Sequence, residues 1–258
     1  MDGPAGGRHD AAMTAVQLLA LVAVFLLAGA VKGVTGMGLP TVAMSLLGLW
    51  MTPVHAAALL VVPSLATNVA QCRGPHLTSL ARRLWPGWLA IAVVTVAAPG
   101  LGGAASGESA RRWLGAILIA YGVWGLWRPR LPDLTARSAA WSGVAGAATG
   151  VVTAATAVFA LPWVPYLQSL RLGKDEMVQA LGLSFTVATL ALAVRVHAAV
   201  PPSWATTGLL GAGLALPAAF AGMALGAALR GRLAGATFQK ALFGVFIVLG
   251  LANVWRGG

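Results

Sequence analysis

The feature that most constrains this chain is where its charges are missing. Apolar stretches near twenty residues follow one another at 14–36, 53–71, 84–103, 110–127, 138–158, 176–197, 204–229 and 237–255. A helix of about 20 residues at ~1.5 Å rise crosses the hydrocarbon core of a bilayer. With 59% hydrophobic and only 9% charged residues, the chain cannot clothe a water-facing domain, for which roughly 25% charge is usual. Disorder and coiled coil need far more polar sequence and are excluded too. Collagen is excluded because the 33 glycines keep no three-residue period. The chain reads as an all-α polytopic membrane protein with eight long transmembrane helices. Two shorter apolar pieces, 39–51 and 159–170, read as broken or re-entrant helices.

The net charge of +11 does not point to nucleic acid. The 17 Lys and Arg residues sit in short gaps between apolar runs rather than in one tail or along one face. The single Cys72 excludes an internal disulfide and a cysteine-based metal site. Arg8 and His9 precede an apolar run ending Ala28-Gly29-Ala30, which resembles a signal peptide. That run is long for one, and its local pattern recurs inside the chain, so it is expected to be retained.

The recurrence organises the whole sequence. Gly29-Ala30-Val31-Lys32-Gly33 aligns with Gly146-Ala147-Ala148-Thr149-Gly150, and Leu114 through Arg128 aligns with Leu242 through Arg256. The expected organisation is a tail at 1–13, a transmembrane repeat at 14–128, a linker at 129–137 and a second repeat at 138–256. If the short pieces cross, Arg73, Arg82, Arg83, Arg128, Arg130, Arg137, Arg171, Lys174, Arg230, Arg232 and Lys240 share one side. Only Arg8, Arg111, Arg112, Arg195 and Arg256 then face the other. Without those crossings the bases divide almost evenly. The positive-inside rule therefore favours ten crossings with both termini outside. Five crossings per half would orient the halves oppositely, as in many secondary transporters.

Within the membrane, Gly29, Gly33, Gly36 and Gly38 precede Pro40 where the first span meets the short piece. Such a run fits a broken helix whose freed N–H groups attract an anion, or a tight packing seam. The second half places Thr149, Thr153 and Thr156 in the corresponding region, before Leu161-Pro162-Trp163-Val164-Pro165-Tyr166-Leu167-Gln168. Ser64, Thr67, Asn68 and Gln71 fall on one helical face. Gln179, Ser184, Thr186 and Thr189 dot the equivalent helix. These uncharged stripes line a cavity or hydrogen-bond neighbouring helices.

All six acids, Asp2, Asp10, Glu108, Asp133, Asp175 and Glu176, fall in termini or loops. Cation carriers usually keep a carboxylate inside the bundle, so an anionic or neutral substrate suits this inventory better. Lys32 is the one charge within an apolar span, roughly 25 Å from its start. It either snorkels to the headgroups or supplies a fixed charge at the mouth of the site. His55 and His197 are the near-neutral titratable groups close to spans, candidates for a coupling proton or for interfacial hydrogen bonds. No hydrolase, Walker or zinc-protease motif is present. Neither enzyme chemistry, nor a metal, nor another cofactor is expected.

The glycine-rich Gly29–Pro40 segment and the Val-Val-Pro-Ser-Leu-Ala-Thr-Asn run ending at Asn68 resemble the TauE/SafE family of sulfite-exporter-like permeases. So do Pro162 through Gln168 and Val178 through Thr186, in the same order in two halves. The chain departs from that pattern at Leu39, where many members have glycine, and at Thr153-Ala154-Ala155-Thr156, where a glycine cluster is common. The resemblance implies transport of sulfite, sulfonate or related organosulfur and carboxylate anions across the cytoplasmic membrane by a multi-pass protein. The substrate contacts expected are Gly33, Gly36, Gly38, Pro40, Thr153 and Thr156, with Asn68, Gln71, Gln168, Gln179, Ser184 and Thr186 lining the route. Partners are then the lipid bilayer, a small anion and a candidate coupling proton. A ten-span exporter of drug-like metabolites and a non-transporting membrane assembly protein remain as alternatives.

Overall fold

A computed structural model of the chain describes residues 13–100, 108–127, 130–233 and 235–256. Most of the expected tail, the end of the third span at 101–103 and residue 129 of the linker lie outside the described residues. Among the described residues the regular structure is helical throughout. In order come α1 (Ala15–Thr35), α2 (Leu39–Leu47), α3 (Pro53–Gln71), α4 (Leu77–Ala97) and α5 (Glu108–Trp127). Then follow α6 (Ser138–Thr156), α7 (Trp163–Ser169), α8 (Lys174–Ala199), α9 (Ala205–Leu233) and α10 (Ala236–Arg256).

Six of these, α1, α3, α4, α8, α9 and α10, are long and apolar enough to cross a membrane. Helices α5 and α6 have 20 and 19 residues but are less apolar. The first carries Glu108, Arg111 and Arg112 near its start, and the second is rich in Gly, Ala, Ser and Thr. Helix α4 starts at Leu77, earlier than the expected 84, because Arg82 and Arg83 ride on its first turns and Pro86 is accommodated inside it. Helices α2 and α7 have 9 and 7 residues. At 1.5 Å rise they reach only about 14 and 11 Å, under half a hydrocarbon core.

Side-chain contacts fix how the helices run. The end of α1 meets the end of α3, where Gln71 Nε2 donates to Gly36 O at 2.8 Å. The loop after α3 is tied to the start of α8 by Gln179. Arg230, near the end of α9, donates to Gly33 O from Nε at 3.1 Å and Nη2 at 2.7 Å. Helices α1, α3 and α9 therefore run parallel and finish at one end of the bundle. Helices α4, α6 and α8 run the other way: Ser142 meets Gly87, Ser184 meets Trp88, and Arg195 reaches Val96 O at 3.1 Å. Segment 36–52 returns the chain from that first end to the opposite one, where Arg111 donates to Met51 O and Arg256 to Leu49 O. Segment 157–173 makes the reverse journey and ends where Leu134 N donates to Ser169 O. The described bases of loops 72–83, 130–137, 171–174 and 230–240 thus gather at a single end, called the basic end below.

Packing crosses between the halves of the chain. Helix α1 lies on α9, and α6 on α4. Both seams are built on glycine: a β-carbon at Gly226 would sit 2.1 Å from Ala30 O, and one at Gly146 would sit 2.3 Å from Gly87 O. Lipid supplies no hydrophobic drive between helices, so small residues that let backbones touch do much of the holding. Leu19, Trp127, Leu209 and Trp255 point outward and are exposed, as a lipid-facing surface requires.

Candidate functional site

Helix α1 stops because Gly36 takes a left-handed conformation (φ 82°) and donates its N–H to Lys32 O. Gly38, also left-handed at φ 98°, starts α2, and Pro40 occupies the first turn of that helix. Two glycines two apart are what allow this abrupt restart, since other residues pay for positive φ. The hydroxyl of Thr35 lies 2.8 Å from Val31 O and 2.7 Å from Met37 O, shares its one proton between them, and staples the break. No side chain caps the N-terminus of α2.

Lys32 does not snorkel. It is 1% exposed, because its side chain turns across to α3 instead of along the lipid face. The ammonium donates to Thr67 Oγ1 at 3.1 Å and to Asn68 Oδ1. Asn68 Nδ2 in turn donates to Ser64 Oγ at 3.3 Å and Thr189 Oγ1 at 3.2 Å. Ser64, Thr67, Asn68 and Thr189 are fully buried, so one polar chain links α1, α3 and α8 through the middle of the bundle. Among the described residues no carboxylate lies within ion-pair distance of Lys32, and the only ion pair is Arg83–Glu176 at 3.9 Å. An ammonium has three donors and here finds two neutral acceptors.

Beside the break lies a cavity of about 420 Å³, lined by Thr35, Met37 and Gly38 from the first half and by Pro165 and Gln168 of α7. Tyr121 and Trp124 of α5 and Phe243 and Phe246 of α10 complete its walls. It lies at the basic end, where α1 and α5 finish and α10 begins, with Leu131 and Gln239 in its lining.

The second break is built differently. Ala157 ends α6 in a left-handed turn (φ 56°). Thr153 donates to Thr149 O at 2.8 Å, while Thr156 donates to Val152 O at 2.7 Å and accepts from Val158 N at 3.2 Å. Val158, Phe159 and Ala160 are buried, with Phe159 packed on Phe185 at a centroid distance of 4.9 Å.

The family model described as Sulfite exporter TauE/SafE matches residues 21–253. The chain belongs to that family. It is accordingly a multi-pass membrane protein of a transporter family, as the resemblance implied. No curated protein matches the chain, and no solved structure does.

In this TauE/SafE chain the expected site residues separate into three groups. Lys32, Gly36, Gly38, Pro40, Asn68 and Gln71 gather at the first break, and Gln168 reaches it across the cavity. Thr153 and Thr156 gather at the second break, with hydroxyls spent on their own backbone. The remainder hold the structure together. Gly33 is a seam residue whose carbonyl receives Arg230. Gln179 clamps the loop after α3, donating to Cys72 O and Gly74 O at 3.0 and 2.9 Å and accepting from His76 N at 3.0 Å. Ser184 accepts from Trp88 Nε1 at 2.8 Å, and Thr186 donates to Gly182 O. His55 stacks on Trp204 at 4.5 Å and His197 is exposed, both away from the polar chain. The four aromatic walls of the cavity escaped sequence reasoning; Tyr121-x2-Trp124 and Phe243-x2-Phe246 at helical spacing were the available signal. Among the described residues no group of three or more His, Cys, Asp or Glu is placed to hold a metal.

Proposed function

We propose that the chain is a secondary transporter that moves a small anion, such as sulfite, a sulfonate or a related carboxylate, across the cytoplasmic membrane. The observation that carries the anion is the buried, acid-free Lys32. A desolvated cation without a counter-charge is costly, and an anion entering beside it removes that cost. The uncapped α2 N-terminus offers N–H groups and a positive dipole end from the other side of the break. The amide groups of Gln71 and Gln168 complete a site suited to oxyanion hydrogen bonding.

The bundle crosses ten times in this proposal, with α2 and α7 completed by the irregular segments beside them. Ten crossings put the basic end in the cytoplasm by the positive-inside rule. The helix directions support two inverted halves, since each of α1 to α5 runs opposite to its counterpart among α6 to α10. Rocking of the halves would then alternate access to the breaks.

The test is counterflow of radiolabelled sulfite in proteoliposomes. Lys32→Gln should lower uptake by a factor of about 30 or more at unchanged abundance, since truncating one partner of a buried charge pair costs about 2–5 kcal/mol. Lys32→Arg, which keeps the charge, should retain a measurable part. Normal sulfite flux through Lys32→Gln would refute the anion assignment.

A further inference from the structure

We infer that Lys32 binds the coupling proton of transport, gaining it with each anion and losing it when the anion leaves. This role rests on the transport reading above and names its driving ion. Buried Lys32 Nζ has two acceptors, Thr67 Oγ1 at 3.1 Å and Asn68 Oδ1. Neither is free to turn away. The Thr67 hydroxyl proton is spent on Pro63 O at 2.7 Å, and the Asn68 amide is pinned through Nδ2 by Ser64 and Thr189. A neutral amine has two N–H groups, which these acceptors satisfy; an ammonium has three. The empty site therefore suits the amine, whose bare lone pair costs less in a dry bundle than an unpaired charge. An anion supplies the acceptor that the third N–H lacks.

The proton adds to the Nζ lone pair, no other bond changes, and its charge cancels one negative charge of the anion. Loaded, the site holds an ammonium and a monoanion; empty, it holds an amine. Neither form presents net charge to the bilayer interior, where charge is costly, so both can pass between the two sides. The groups around Lys32 offer the proton few other places. From α3 comes the Cys72 thiol, one turn beyond Asn68, which donates to Asn68 O at 3.4 Å. Helix α9 brings Arg230, whose guanidinium is held on Gly33 O. Helix α2 carries no ionisable side chain. Helix α8 contributes the neutral Thr189 to the polar chain, with Lys174, Asp175, Glu176, Arg195 and His197 towards its two ends. His55 stacks on Trp204 at the far end of α3.

The test compares counterflow with net uptake of radiolabelled methanesulfonate, a monoanion at every working pH, with sulfite in its place should methanesulfonate not be carried. In proteoliposomes clamped at zero potential, an inward proton gradient should concentrate methanesulfonate about ten-fold per pH unit. A potential without a pH gradient should concentrate none. Lys32→Arg, whose guanidinium keeps its proton, should retain part of the counterflow and lose accumulation under the gradient. A lysine with a structural role alone would lower both together. Cys72→Ser and His197→Gln should keep both. Should Lys32→Arg not fold, the wild-type chain decides in weakly buffered detergent: about one proton taken up per methanesulfonate bound supports the role, and none overturns it. Counterflow without pH-driven accumulation in the wild type overturns the role and leaves the transport reading standing. Accumulation that survives Lys32→Arg, or that disappears in Cys72→Ser with counterflow intact, overturns it as well. Vesicles that exchange no anion overturn the transport reading, and this role falls with it.

Discussion

The two broken segments, one after α1 and one after α6, differ in what surrounds them: the first adjoins a cavity and the second is packed with apolar side chains. At the first, Gly36 and Gly38 leave the backbone bare, and a cavity lined by Gly38 adjoins the break at the basic end. At the second, Thr153 and Thr156 fold their hydroxyls onto the backbone, and Val158, Phe159 and Ala160 fill the space. The buried Lys32 belongs only to the first; its sequence counterpart is Thr149. A carrier with two gates shows this asymmetry when one gate is open. In the transporter proposed above, the difference gives the two ends different chemistries: one recognises charge, the other excludes solvent.

The harshest test of the comparison strikes the seams on which both breaks hang. A β-carbon at Gly33 would lie 2.3 Å from Met223 O, a backbone atom that cannot yield. Gly33→Leu should separate α1 from α9 at a cost of about 3 kcal/mol or more, read as loss of monodisperse protein after extraction. Gly143→Leu, on α6 with nothing within 4 Å of its β-carbon, should leave yield unchanged. Equal loss in both would mean that glycine content, not close approach, matters.

Next in size is the seal. Phe159→Ala should cost about 3–5 kcal/mol as a core truncation. It should also make a cysteine introduced at Ala160, 4% exposed, reactive towards a membrane-impermeant maleimide from the end opposite the basic loops. The comparison breaks if that cysteine reacts equally fast with Phe159 in place.

How much of this was legible follows from what periodicity can carry. Class, family and most span limits were readable, since α3 runs from Pro53 to Gln71 as its hydropathy indicates. The fate of Lys32 was not. Rise per residue gives depth along an axis, but a side chain that crosses to Thr67 and Asn68 depends on a neighbour thirty-five residues away. The partners of Gln179 and Ser184 were hidden for a related reason: spacing says which residues share a face, not whether that face meets a cavity, a loop or a tryptophan. The aromatic cavity left only the paired spacings of Tyr121 and Trp124 and of Phe243 and Phe246 as a signal, because its walls come from helix ends far apart in sequence and apolar rings look the same facing lipid or ligand.

Gln179 lets that distinction be measured. Gln179→Leu removes three hydrogen bonds to the loop after α3, an expected loss of about 2–3 kcal/mol. Thermal unfolding in detergent should fall, while the Km for sulfite in the surviving protein stays within about two-fold. A Km rise of ten-fold with normal stability would return Gln179 to the route and extend the open region beyond the first break.

The finest contrast sets one polar side chain at each break against the other. Gln71→Leu deletes the donor to Gly36 O, and Thr156→Val deletes the hydroxyl that joins Val152 O to Val158 N. Each loses ordinary hydrogen bonds, so each should cost about 1 kcal/mol in stability. Their functional effects should part company. Gln71 holds the carbonyl of Gly36, two residues before the Gly38 that lines the cavity, so its loss should weaken sulfite binding from the basic end several-fold. Thr156 is walled off in the same state, so its loss should leave that binding unchanged and alter only turnover through the closed gate. Were Thr156→Val to weaken binding from the basic end as much as Gln71→Leu does, the two breaks would form a single site, and the division between a recognising end and a sealing end would fall.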